Sequence, residues 1–231
     1  NTSYIHKSCN VKNYATPGDG GGGLFEYNPS ILVFDTGIRI APNIGAGAWV
    51  RKVDGRDYMA RWWGPSKTNA TVQAAIDWVS ANGHGRVICD GGTWTVKCDD
   101  STRITMKDGV TLATADDSSI VMAANPVDNW IMVDFPLDVR DCGVGPARLV
   151  GWNLSAPNGD TNKVGMIFSL QDTHNVTIGG VEASNWYTRY ADVGSGNENL
   201  QLFDQNWERG VKALGAKMDG STDDTIAVQD A

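Results

Sequence analysis

The sequence predicts a mainly β protein: a small N-terminal β-rich module, then a capping α-helix followed by a short solenoid of stacked strands, then a C-terminal segment. Three observations lead there. From Gly85 onward, short apolar runs alternate with turns rich in Gly, Asp and Asn. No helix-period pattern of useful length breaks that alternation between Gly83 and Glu198. The clearest helix, at 69–81, stands directly before the run. Regular short strands without helices suit a sandwich, a barrel or a solenoid. The helix favours the solenoid, because stacked repeats need a covering on their open first rung.

The N-terminal module spans 1–57. Thr16-Pro17-Gly18-Asp19 marks a turn, since Pro sets one dihedral and Gly permits positive φ. The glycines at 20–23 resemble a phosphate-cradling loop only superficially, for the Lys-Ser/Thr of a P-loop is absent. A tight turn leading into a strand at 24–27 accounts for them. Further strands are predicted at 31–34, 38–40 and 49–53, the last after a Gly45-Ala46-Gly47 turn.

In the helix at 69–81, Ala70, Ala74, Ile76, Trp78 and Val79 group on one side. Thr68 or Asn69 can cap its start, and Asn82-Gly83 ends it. Trp62 and Trp63 are expected to pack beneath it. With this helix, the second part covers 58–205. Its strands are predicted at 86–89, 94–97, 103–106, 110–112, 120–122, 130–135, 148–152, 164–170, 175–178 and 199–203. In Val110-Thr111-Leu112 and Val176-Thr177-Ile178 the apolar residues alternate inward and Thr faces out.

The third part, 206–231, reads as a strand, a Gly/Asp turn and the opening of a helix. Ser221 or Thr222 can cap that helix, and Asp223 and Asp224 suit the positive end of its dipole. Adjacent carboxylates on a helix point about 100° apart, so this pair does not converge on one ion. The stretch has a shortened copy earlier: Trp63-Gly64 aligns with Leu214-Gly215, and Val72-Gln73-Ala74-Ala75 with Val228-Gln229-Asp230-Ala231.

Composition excludes several function classes. The 231 residues carry 19 Lys and Arg against 27 Asp and Glu, a net charge of −8. That disfavours duplex nucleic-acid binding, which needs cations to displace counterions, and attachment to anionic membranes. No apolar run approaches a bilayer-crossing length, and no signal peptide is visible. Cys9, Cys89, Cys98 and Cys142 lack zinc-type spacing and read as reduced, mostly buried thiols, with a Cys89–Cys98 hairpin bridge as an alternative. His6, His84 and His174 are scattered, so no metal site and no cofactor are expected.

Two motifs carry a resemblance. The segment Gly215-Ala-Lys-Met-Asp-Gly-Ser-Thr-Asp-Asp-Thr225 up to Gln229 resembles the opening motif of pectate-lyase-like right-handed β-helices, as found in bacteriophage tailspikes and capsule depolymerases. Gly18-Asp19-Gly20-Gly21-Gly22-Gly23-Leu24-Phe25-Glu26-Tyr27, followed by Ala48-Trp49-Val50-Arg51, is similar to the small β-rich module that precedes the β-helix in many tailspikes. Lys107-Asp108-Gly109-Val110-Thr111-Leu112 and Asn175 to Val181 resemble β-helix rungs. The resemblance implies a short right-handed parallel β-helix at 84–205 and the start of a second one at the C-terminus. It implies a virion protein, made in host cytoplasm, that assembles as a homotrimer. Its partners would be the phage tail or baseplate, or another tailspike. Host surface polysaccharide would be engaged through a further C-terminal part.

The family's catalytic residues usually follow the opening motif, so this chain is expected to be catalytically silent, with none of its positions matching them. Two alternatives stay open. The small β-helix can itself be a polysaccharide lyase or hydrolase, for which Asp134, Asp141 and Glu182 are the candidate acids, with Asp138, Arg140 and Arg148 nearby in sequence. Or it can bind carbohydrate without turnover, by stacking sugars on Trp152 and Trp186 among its nine tryptophans.

Overall fold

The computed structural model describes residues 8–13, 16–17, 19–98, 102–123, 130–151, 165–184, 189–193 and 195–203. The expected start of a second β-helix at 206–231 therefore lies outside the described residues.

The N-terminal part is a four-stranded antiparallel sheet in the order β1-β2-β4-β3. It comprises β1 (Ser8–Val11), β2 (Gly23–Asn28), β3 (Arg39–Ile40) and β4 (Ala48–Arg51). The chain then forms β5 (Asp57–Met59), a single 3-10 turn (Ala60–Trp63) and helix α1 (Asn69–Asn82). Thr68 stands at the N-cap but makes no side-chain cap bond. The helix ends on Gly83 at φ 119°, a left-handed position where a Cβ would be strained.

Beyond the helix, three parallel sheets wrap around one core. The six-stranded sheet contains β5, β6 (Gly85–Cys89), β9 (Val110–Thr114), β12 (Gly143–Val144), β15 (Thr177–Gly179) and β18 (Gln201–Phe203). The second sheet stacks β7 (Thr93–Val96), β10 (Ser119–Met122), β13 (Ala147–Val150) and β16 (Val181–Ser184). The third stacks β8 (Ile104–Thr105), β11 (Trp130–Phe135), β14 (Gly165–Leu170) and β17 (Arg189–Val193). The chain visits the three sheets in turn and pairs each strand in parallel with its counterpart one coil earlier. This is a parallel β-helix, as the resemblance implies. Inward columns such as Val87, Leu112, Val144 and Ile178 are buried along its length. Burying each such side chain contributes about 1.5–3 kcal/mol.

Helix α1 covers the first coil, with Thr71, Val72, Ala75, Ile76 and Val79 buried. The apolar face is thus rotated from the predicted one. Ala70 is exposed, and Trp78 is half-buried against the N-terminal sheet. A seam of aromatic rings joins sheet and helix: the centroids of Trp63 and Trp78 lie 5.8 Å apart, and those of Tyr58 and Trp78 5.5 Å. Arg51 is the buried cation of this seam. It donates to the carbonyls of Gly37, Gly22 and Gly21, and its guanidinium lies 4.5 Å from both the Phe25 and Trp62 ring centroids.

One predicted strand is absent. Residues 31–34 form no strand, and Leu32, Val33 and Phe34 are exposed. The Asp35 carboxylate takes the backbone N–H groups of Gly37, Ile38 and Arg39, which turns the chain before a partner strand is met. Apolar β-formers make a strand only where a pleated, half-buried surface is offered. The structure adds β1, β5, β12, β16 and β17, which have no counterpart among the predicted strands. All four cysteines are thiols, with Cys89, Cys98 and Cys142 buried and Cys9 partly so.

Candidate functional site

The turn that brings the chain from the third sheet back to the six-stranded sheet repeats in register. Asp141, Asn175 and Asn199 occupy the same place in successive coils, at φ 51°, 55° and 54°. Asp and Asn are the residues that best tolerate this left-handed conformation after glycine. Their side chains form a ladder: Asn175 donates to Asp141 at 2.9 Å, and Asn199 donates to Asn175 at 2.9 Å. One position earlier lie Arg140, His174 and Glu198, joined by isolated parallel bridges. The His174 ring sits between two acids, 3.0 Å from Glu198 through Nδ1 and 3.6 Å from Asp138 through Nε2. Held between them, its side chain is only 19% exposed.

Beside this ladder, on the outer face of the six-stranded sheet, is a hollow of about 330 Å³. Thr111, Gly143 and Thr177 line it in successive coils, together with Gly145, Gly179, Asp141 and Asn175. Cys142 also lines it. Burial, with the nearby Asp108 and Asp141 carboxylates, pushes the Cys142 thiol up to about 12, so it carries no nucleophilic thiolate near neutral pH.

The predicted acids do not meet. Asp134 is on β11 of the third sheet, where Arg103 Nε lies 3.3 Å from it. Burial raises its pKa, against the opposing Arg103 charge and a hydrogen bond with Ser169. Asp141 is in the turn ladder. Glu182 is on β16 of the second sheet, in register with Arg148, an exposed pair of opposite charge. Asp134 and Glu182 thus stand on different sheets and Asp141 in the turn between the third and the six-stranded sheet, whereas glycosidic cleavage by an acid pair needs the two carboxyls about 5–10 Å apart around one bond. Asp138 stands in the same turn as Asp141, 3.6 Å from His174 Nε2. Trp152 and Trp186 lie outside the described residues. Among the described residues, no group of three His, Cys, Asp or Glu side chains is placed to hold a metal ion. No helix among them is long and apolar enough to cross a membrane.

Asn175, Thr177 and Gly143 carry the site's geometry without having been singled out as site residues. A signal for the ladder exists in the sequence. Asp141-Cys142, Asn175-Val176 and Asn199-Leu200 each place Asp or Asn directly before an apolar residue. The intervals are unequal, 34 and then 24 residues, which hides the repeat.

No family model matches the chain, and no curated protein matches it significantly. Solved structures do. The chain is similar to tailspike protein gp49 from Acinetobacter baumannii bacteriophage Fri1, a capsular polysaccharide depolymerase, with a TM-score of 0.65 and 15% identity over 87% of this chain. It is also similar to the enzymatically active domain of bacteriophage CBA120 tailspike protein 2, with a TM-score of 0.59 and 12% identity over 87% of this chain. It spans 39% and 32% of those two chains. The shared feature is the fold.

Proposed function

We propose that this chain is a portion of a phage tailspike directed at a bacterial surface polysaccharide. In this reading the N-terminal sheet mounts the spike on the tail or on a neighbouring spike. Helix α1 closes the first coil, and the small β-helix carries the body that follows. The observation that supports it most is the extent of the likeness: 87% of the chain aligns with the gp49 tailspike, a span longer than the β-helix itself. Three copies around one axis would suit a tail of three-fold symmetry, since closed cyclic assemblies are the common way identical chains associate.

On this reading the 231-residue chain does not cleave glycan by itself. The separation of Asp134, Asp141 and Glu182 onto different elements supports that expectation. The experiment sets the purified chain beside its full-length gene product, with solution mass and the release of reducing ends from host polysaccharide as readouts. A trimer that is silent alone, within a full-length product that cleaves or binds polysaccharide, is the expected result. A complete gene product of this size that is monomeric would overturn the reading. Cleavage by the 231-residue chain would instead favour the enzymatic alternative.

A further inference from the structure

The hollow on the outer face of the six-stranded sheet has a cause in the sequence. The outward column there reads Arg86, Thr111, Gly143, Thr177 and Gln201 through successive coils. Gly143 is the one position in that column without a side chain, and the backbone of the next coil closes in on it. A Cβ there would overlap the carbonyl oxygen of Thr177, so the close approach of two coils requires glycine. Here the lining is backbone at Gly143 and the side chains of Thr111 and Thr177 on either side of it. At its edge, the Asp141 carboxylate uses Oδ1 to accept from Asn175, while Oδ2 has no hydrogen-bond partner among the described residues.

The chemistry of this lining selects a ligand. A lining of glycines and short polar side chains leaves room for a saturated ring. Two hydroxyls, a carboxylate and a carboxamide match a ligand whose own groups both donate and accept around that ring. At about 330 Å³, the hollow is at the small end of ligand sites and accommodates one ring of a chain rather than several. Its field is negative. Asp108 and Asp141 both act on Cys142 in its wall, and Asp138, Asp172 and Glu198 stand in the same turn stack. Of the nearby lysines and arginines, Lys107 is paired with Asp77 at 3.0 Å and Arg86 with Asp57 at 2.7 Å, which leaves Arg140 as the counterweight.

We infer that this hollow binds one neutral or amino sugar unit of a glycan, with Asp141 and Thr177 as its principal polar contacts, and discriminates against uronic acids. The inference rests on the polysaccharide-directed reading above and adds a location and a charge preference. Glucosamine gains a favourable ammonium–carboxylate contact. Glucuronate places its carboxylate beside Asp141, where like charges a few ångströms apart repel.

The test is a chemical-shift titration of the intact 231-residue protein with glucosamine, methyl glucoside and glucuronate. Melting curves establish that each variant is folded. Glucosamine and methyl glucoside are expected to bind at least about tenfold more tightly than glucuronate. Thr177→Trp, which fills the hollow from an exposed position, should abolish binding. Asp141→Asn keeps a residue that tolerates the left-handed turn and should bring glucuronate level with methyl glucoside. Tighter binding of glucuronate to the parent protein overturns the inference. So does sugar binding that survives Thr177→Trp, although glycan recognition elsewhere on the chain then stands. Failure of all three sugars in a protein that still binds host polysaccharide removes the hollow and leaves the proposed function intact. Failure of both sugars and polysaccharide, in the chain and its full-length product, removes both.

Discussion

Around the capping helix each contact is made once, whereas along the β-helix each is made again in the next coil. At the seam, Arg51 alone satisfies three carbonyls, and Asp35 alone holds Gly37, Ile38, Arg39 and the Trp78 indole N–H, the last at 2.8 Å. In the stack, Val87, Leu112, Val144 and Ile178 do the same job in series, and the Asp141–Asn175–Asn199 ladder repeats one bond. Single substitutions should therefore cost most at the seam. In the stack, neighbouring coils share the loss.

The largest effect is expected for Trp63→Ala, which removes a buried ring from the seam beside Trp62 and Trp78. Truncating such a side chain costs about 3–5 kcal/mol, read as a lower denaturant midpoint. Next comes Arg51→Leu. It leaves the carbonyls of Gly21, Gly22 and Gly37 without their charged donor, at a cost of about 3 kcal/mol. If instead Arg51→Leu is neutral, the seam is held by ring packing alone and the contrast with the stack weakens.

A ladder substitution should cost less. Asn175→Ala loses two exposed side-chain bonds and places alanine at φ 55°, for about 1–2 kcal/mol in all. Asn175→Gly loses the same bonds without the strain and should be the milder of the two in urea unfolding. Equal losses would assign the position's worth to the ladder rather than to the backbone.

The smallest effect concerns pH. Asp90 sits in the turn between β6 and β7, 2.5 Å from Arg61, and burial raises its pKa despite that arginine. The folded chain then keeps this proton to a higher pH than the unfolded chain does. Stability is accordingly lost as pH rises from the ordinary carboxylate range through the folded pKa. Asp90→Asn has no such proton to release, so it should gain on the parent as pH increases across that window. A variant that instead falls behind with rising pH would mean that the Arg61 charge outweighs burial.

Much of the stack was legible before the structure. The 110–112 and 175–178 runs alternate as predicted, with Val110, Leu112, Val176 and Ile178 buried and Thr177 exposed. Residues 31–34 show where that reading fails. Their apolar pattern is as good as that of any strand in the chain, but a strand needs a partner, and Asp35 turns the chain first. The short strand at Gly143–Val144 was invisible for the opposite reason, because two residues containing a glycine carry no pattern, and their neighbours in adjacent coils supply the pairing.

The candidate site was less legible than the fold. Asp134, Asp141 and Glu182 were singled out for their chemistry, yet which face each occupies depends on where the coil turns, and the turns vary in length. The amino-acid sequence by itself determined the period-two alternation, the capping helix with its terminal glycine, and the acidic charge balance, because each follows from local sterics or simple composition. Only the tertiary structure decided which residues stack in columns, that Thr111, Gly143 and Thr177 line one hollow, and that Asp134, Asp141 and Glu182 stand on different elements. Those outcomes depend on register between coils 24 to 34 residues apart, which backbone pairing sets and no local pattern encodes.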